Sequence, residues 1–320
     1  MEINRGAISK AGGGERLDER IRLELNRRRA MYEELARSYP GLTGIPPQLL
    51  RDLRIYGGYQ GIYYDKANTS TLVGGAGGVT VSILHTGRHY PDDLSDTHII
   101  YHYPETSRFG HDRAEVLATK NAGRLGIPIF VVAHSSQDET LRDVSVGIIQ
   151  EWHDEAAIFL IALSKEWVEP TSQRLGRADG LPRFELTTPR RSREVSRRER
   201  SNNQPLFKFS VLRRYGSKCA VCYVSRVEML QAAHIRPVSE NGSDDPRNGL
   251  VLCANHHLAF DANLFAFDPE TLEVVYKPSG VTGVDLGITN ESLRHLKNKP
   301  HPDALMWRHT YWKRNVGLSN

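Results

Sequence analysis

Two short knuckles, Cys219-x-x-Cys222 and Cys253-x-x-His256, constrain this chain more than any other feature of its sequence. Three thiols and an imidazole at these spacings make the donor set of a tetrahedral zinc site, and gathering them around one ion forces the chain between them to fold back. These are all the cysteines in the 320 residues, so no disulfide framework competes for them. Thiols kept as ligands fit a reducing compartment. The alternative is a set of inert buried thiols, since free cysteine is often a core residue.

Between and beside the knuckles lie Ala232-Ala233-His234-Ile235, then Asn248-Gly249-Leu250-Val251-Leu252-Cys253, then His256-His257. The largely apolar run from Val227 to Ile235 predicts a strand, Gly249 to Leu252 a second strand, and Ala254 to Phe260 a helix. Adjacent helical residues point about 100° apart, so His256 can face zinc while His257 faces elsewhere. This ordered His, Asn, His resembles the HNH endonuclease family. In that family a β-hairpin and a helix, the ββα-metal fold, grip one catalytic divalent ion beside a zinc held by knuckles placed like these.

The resemblance implies that His234, Asn248 and His257 are catalytic: His234 the general base, Asn248 the residue fixing the loop that aims it, and His257 a ligand of Mg2+ or another divalent ion. It also implies Cys219, Cys222, Cys253 and His256 as the ligands of a structural Zn2+. Ala233 stands where many members carry Asp or His as a second ligand of the catalytic ion, which leaves Asp261 and Asn248 as candidates for that duty. Phosphodiester hydrolysis asks for these residue types because a water must lose its proton and a cation must meet the charge building on phosphate and leaving oxygen.

The chain is long enough for two domains. Its net charge of +4 is compatible with DNA without arguing for it alone. No apolar run approaches the roughly 20 residues that cross a bilayer, and nothing near the N-terminus reads as a signal peptide, so a cytoplasmic location is the expectation. From Glu15 to Tyr39, Leu17, Ile21, Leu25, Met31 and Leu35 recur at helical spacing, predicting an amphipathic helix ended by Pro40 that pads the next domain or pairs with a second chain.

Between Ile45 and Trp167, short strands are predicted at Gly61 to Tyr64, Val79 to Leu84, His98 to Tyr103, Ile127 to Val132 and Ile158 to Leu163. A helix from Arg113 to Leu125, with Val116, Leu117 and Leu125 inward, interrupts them. Gly61-Ile62, Val81 to Asp93 (VSILHTGRHYPDD), Ile100 to Tyr103, and Asp112 followed by Lys120-Asn121-Ala122 and Gly126-Ile127-Pro128-Ile129 resemble the SRA domain. That family is a PUA-like β-barrel that binds methylated DNA and swings the modified cytosine into a pocket. The resemblance implies a pocket in which Tyr90 stacks on the flipped base, Asp93 reads its Watson-Crick edge, and Tyr101 or Tyr103 forms the opposite wall. A flipped base needs an aromatic face in place of its lost stacking and an acceptor for the cytosine amino group.

The fold class that follows is α+β. Residues 1–40 form an N-terminal helical segment and 41–167 an SRA-like barrel with a crossing helix. Residues 168–205 form a basic linker, and 206–320 a zinc-stabilised ββα-metal module that opens with a short helix from Leu206 to Tyr215 and closes with a strand pair between Leu264 and Tyr276. Within residues 168–205, Pro189 to Arg200 concentrates positive charge in a linker or an exposed helix, which suits phosphate contact or a solvated face. Together the two resemblances imply a modification-dependent restriction endonuclease. Its partner is double-stranded DNA carrying 5-methylcytosine or 5-hydroxymethylcytosine, and a homodimer would let one site per chain cut both strands. The alternatives are a non-cutting modified-DNA-binding protein whose zinc module is structural, and an HNH nuclease indifferent to modification.

Overall fold

The computed structural model describes residues 11–57, 61–75, 77–86, 93–169, 183–188, 193–278 and 280–318, without the side chains of 11–16 and 193–202. The chain divides into two units. The first is Met1–His89 with Tyr101–Trp152 and Ile158–Gly176; the second is Tyr90–Ile100 with His153–Ala157 and Arg177–Asn320. No helix among the described residues is long and apolar enough to cross a membrane.

The first unit opens with helix α1 (Ala11–Ser38). The expected apolar stripe is only partly its buried face: Glu24, Arg28 and Leu35 are buried, whereas Leu17 is 36% exposed. Positions 24, 28 and 35 share one face of a 3.6-residue helix. Arg28 is anchored there: its Nε donates to Glu24 at 2.7 Å and Nη1 to the carbonyls of Thr80 and Pro128 at 2.7 Å each. Those two carbonyls belong to the sheet region, so the arginine ties the helix to it.

Short helices α2 (Pro47–Asp52) and α3 (Lys66–Thr69) flank β1 (Ile62–Tyr64). Then come β2 (Thr80–His85), β3 (His98–His102), α4 (Phe109–Leu125), β4 (Ile129–His134), β5 (Arg142–His153) and β6 (Ile158–Ser164). The six strands pair in the order β1-β2-β4-β5-β6-β3, with β2 and β4 parallel and α4 in the connection between them. Leu35, Leu42, Ile45, Leu50, Val81, Phe130, Val132 and Val144 form the core under α1.

Two expectations need correction here. Strand β5 was not predicted, because Ser145 and Gly147 dilute its alternation; Gly147 is required by space, since a Cβ there would lie 2.8 Å from Val131 Cγ2. In α4, Leu117 is 37% exposed, and the inward face is Asp112, Glu115, Ala118, Thr119, Asn121 and Ala122. Small and polar residues at i, i+3, i+7 spacing are chosen here because the helix meets the sheet closely and finds hydrogen bonds: Thr119 meets Thr80 at 2.9 Å and Asn121 donates to the Gly78 carbonyl at 3.1 Å.

The second unit contains α5 (Arg193–Tyr215), the hairpin β7 (Leu230–His234) and β8 (Gly249–Cys253), α6 (Ala254–Asp261), the pair β9 (Phe265–Phe267) and β10 (Val274–Tyr276), α7 (Gly283–Leu286) and α8 (Pro302–Asn315). Helix α5 is longer than expected, because the charged stretch from 193 onward continues through Pro205 into the apolar segment. Residues 183–188, expected as linker, carry packing contacts: Phe184 stacks on His301 with ring centres 3.7 Å apart, and Thr187 bridges to Gly242. In α8, Arg308 and Trp312 are buried, with Trp312 donating to the Asn263 carbonyl at 3.1 Å, so this face of the tail is a packed helix.

Candidate active site

The hairpin and α6 form one ββα unit. Antiparallel register pairs Leu230 with Cys253 and His234 with Gly249, so His234 closes β7 beside the start of β8 and α6 follows β8 without a loop. The loop between the strands returns on itself through Asn248, which is fully buried. Asn248 Nδ2 donates to the carbonyls of Arg236 at 3.1 Å and Ser243 at 2.9 Å, and its Oδ1 accepts from the Arg236 amide at 2.9 Å. A side-chain amide has both kinds of group to offer, and here both are spent on the backbone that follows His234.

The His234 ring lies against Phe207 of α5, with centroids 3.7 Å apart and planes 10° apart. Its Nε2 is 2.9 Å from Asp244 Oδ1, and Asn203 Nδ2 donates to Asp244 Oδ2 at 3.3 Å. Phe207, Asp244 and Asn203 were not singled out from the sequence. Asp244 carried a signal, as an acid in the loop between His234 and Asn248; Phe207 read only as an apolar residue of a short helix.

His257 occupies the next position after His256 on α6. Its Nδ1 meets Gln231 Oε1 at 2.8 Å, and its Nε2 lies 3.5 Å from Asp261 Oδ2, one turn on. Gln231 Oε1 accepts from the Nδ1–H, which turns the lone pair of Nε2 toward the carboxylate; two acceptors brought this close suit a cation between them. His257 and Asp261 could hold such an ion with solvent completing its shell, as a hard divalent cation prefers. His234 is not grouped with them in any three-ligand cluster among the described residues.

Cys219, Cys222, Cys253 and His256 are all buried, with their donor atoms within 4.8 Å of one another. Cys253 Sγ is 3.0 Å and Cys219 Sγ 3.6 Å from His256 Nδ1, while Cys222 and Cys253 are 3.9 Å apart, too far for a disulfide. Tetrahedral zinc with sulfur ligands sets sulfurs about 3.8 Å apart. His256 Nε2 donates to the Leu286 carbonyl at 3.0 Å, which leaves Nδ1 as the ligand nitrogen, the second contact a zinc-bound histidine makes. Burial pushes the Cys219 thiol up to about 12 and the Cys253 thiol upward, and pushes His256 down. A neutral imidazole is ready to ligate, whereas the thiols need a cation to become thiolates. The residues therefore fit zinc.

A second cluster, His111, Asp112 and Glu115 on α4, also brings ligand atoms together. Both Asp112 oxygens are committed to Thr106, at 2.7 Å from its amide and 2.7 Å from its hydroxyl, which is the duty of a structural carboxylate.

The residues expected to line a base pocket are dispersed in their surroundings. Tyr90 lies outside the described residues. Asp93 is fully buried with its carboxylate 2.7 Å from Lys208 Nζ. Tyr101 is half-buried on β3, where burial first and the Glu115 charge second push its phenol above the usual tyrosine range. Tyr103 packs on Phe159 with ring centroids 4.5 Å apart, and Lys120 Nζ lies 5.5 Å from its ring centre.

Residues 219–268 match the family described as HNH endonuclease, so the ββα unit with its knuckles is an HNH endonuclease domain. No curated protein matches the chain. Among solved structures, it is similar to a modification-dependent restriction endonuclease, TagI, at 18% identity over 87% of this chain and 92% of that one, with a TM-score of 0.33. It is also similar to the type IV phosphorothioation-dependent restriction endonuclease ScoMcrA, at 15% identity over 84% of this chain and 58% of that one, with a TM-score of 0.27. Likeness at these scores fixes neither fold nor substrate.

Proposed function

We propose that this protein is a modification-dependent restriction endonuclease: it flips 5-methylcytosine or 5-hydroxymethylcytosine out of duplex DNA with the SRA-like region 41–167 and hydrolyses phosphodiester bonds with its HNH domain. The observation that carries the hydrolytic half is the oriented His234 at the end of β7, on the same ββα unit as the His257–Asp261 pair. His234 takes the proton of the attacking water, whose oxygen bonds to phosphorus as the leaving oxygen departs. Asn248 keeps the following loop, and so the imidazole, in place. A divalent ion at His257 and Asp261 would supply the positive charge that the phosphate and leaving oxygen develop against. Zinc at the knuckles is structural.

Recognition is supported by the residue pattern from Gly61 to Ile129, with Tyr90 and Asp93 at the stacking and edge-reading positions and Tyr101 and Tyr103 as the opposite wall. The reduced state implied by zinc-bound thiols suits a cytoplasmic enzyme acting on foreign DNA, and a homodimer would cut both strands. One observation favours a nuclease indifferent to modification: the Asp93 carboxylate is taken by Lys208, so edge reading needs that pair to open. Cleavage and binding are therefore measured on paired duplexes, methylated, hydroxymethylated and unmodified, with wild type and His234→Ala. Loss of a general base removes about 10² to 10⁴ in rate, so the variant should bind modified duplex and not cut it. Equal cutting of all three duplexes refutes the recognition half; a cutting His234→Ala refutes the hydrolytic half.

A further inference from the structure

We propose that Asp244 is the positioning residue of the general base: it holds the His234 imidazole with its proton on Nε2, so that Nδ1 is the atom that takes the proton from the attacking water. The inference rests on the reading of His234 as base. It starts from the 2.9 Å contact between His234 Nε2 and Asp244 Oδ1. A neutral imidazole has one donor and one acceptor nitrogen, and a carboxylate only accepts. Their contact therefore places the proton on Nε2 and the lone pair on Nδ1.

Two further contacts come from one face of α5. Asn203 donates to Asp244 Oδ2 at 3.3 Å, and Phe207, one turn later, lies flat on the imidazole at 3.7 Å. The stack stops the ring from tilting, the in-plane hydrogen bond stops it from turning over, and Asn203 stops the carboxylate from swinging away. Ring, acid and amide thus form a chain in which each member removes a freedom from the next.

The proton balance is simple. Nδ1 receives the water proton and the ring becomes imidazolium; the water oxygen bonds to phosphorus while the bond to the leaving oxygen breaks; the imidazolium later returns its proton to the leaving group or to solvent. Asp244 keeps its charge throughout, and that charge favours the imidazolium as it forms. Both of its oxygens are engaged, Oδ1 by His234 and Oδ2 by Asn203, which distinguishes it from a residue waiting for an ion.

The test uses the full chain with Asp244→Ala and Asp244→Glu. Steady-state cleavage with Mg2+ is expected to show kcat down about 10- to 100-fold in Asp244→Ala, with KM and DNA affinity unchanged and partial recovery in Asp244→Glu. In protein labelled with ¹⁵N-histidine, long-range ¹H–¹⁵N correlation spectra, assigned by difference with His234→Ala, should show the Nε2–H tautomer in wild type and a mixture in Asp244→Ala. A kcat within about twofold of wild type overturns the proposal, as does an unchanged tautomer in Asp244→Ala. Recovery of Asp244→Ala by raised Mg2+ also overturns it, since that marks Asp244 as an ion ligand. If wild type cuts no duplex, the functional reading fails, and the tautomer spectra still decide the role of Asp244.

Discussion

The Lys208 ammonium sits 2.7 Å from the Asp93 carboxylate with both side chains out of solvent. Lys208 is the residue after Phe207, whose ring covers His234, so adjacent positions of α5 meet the proposed general base and the segment that carries the expected base-reading carboxylate. Burying two charges costs several kcal/mol that mutual contact and further hydrogen bonds offset, and removing one partner takes that contact away from the other. Lys208→Met or Asp93→Asn is accordingly expected to destabilise the protein by about 3 to 5 kcal/mol, and the double variant by less than the sum. Denaturant melts of the four proteins give the coupling energy; additivity would mean that the pair contributes no interaction.

Zinc removal is the second expectation. Thiols that burial drives upward in the absence of metal can be thiolates at neutral pH only with a cation beside them, and binding a structural zinc contributes on the order of 10 kcal/mol in small domains. Cys219→Ser should lose the metal and unfold the HNH domain. Ligation releases protons, so wild type should also shed zinc as pH falls. Elemental analysis of freshly purified wild type checks this, and less than about half an equivalent would contradict it.

Much of this domain was legible in its sequence because chemistry fixes spacing. The knuckles, His234, Asn248 and His257 stand in an order that a hairpin followed by a helix carries, and strands β7 and β8 and helix α6 lie within a few residues of where the pattern puts them. What escaped detection was contact across sequence. Nothing local marks Phe207 as the ring on His234, or Gln231 as the acceptor for His257, since each looks like an ordinary member of its element. Helix α4 misled for a different reason: its exposed Leu117 imitates a core residue, while Glu115, a charged residue by type, is 4% exposed.

That buried glutamate gives a pH dependence. Burial first, and the Asp112 charge second, raise the Glu115 carboxyl from 4.5 to about 7, with His111 Nδ1 3.2 Å away. A carboxyl raised on folding holds its proton in the native state where the unfolded chain has lost it. Its contribution is therefore greatest below pH 4.5 and declines as pH rises to about 7. The loss should amount to about 1 to 3 kcal/mol. Glu115→Gln removes the titration, so its stability should fall less than that of wild type between those pH values. Parallel melts at pH 5 and 8, on either side of about pH 7, would disprove this if the two proteins changed equally.

The last expectation concerns Gly249, which needs no unusual backbone conformation, with φ at −128°, but does need space. A Cβ there would lie 2.6 Å from Val211 Cγ2 and 2.9 Å from Phe207 Cζ, both on α5. The glycine lets α5 approach β8 closely enough for Phe207 to reach the His234 ring, and His234 is the direct register partner of Gly249. Gly249→Ala must push either the helix or the phenylalanine away, and overpacking of this kind costs about 1 to 3 kcal/mol. Because the displaced group is the one that lies on the imidazole, cleavage should fall along with stability. Val211→Ala vacates the nearer clash, so the double variant Gly249→Ala, Val211→Ala should regain stability relative to Gly249→Ala, whereas the losses at independent sites would add. The ring-current shift of the His234 protons reports the stack directly. A Gly249→Ala protein that keeps that shift, its melting midpoint and its cleavage rate would show that α5 does not depend on this close approach to hold the His234 ring.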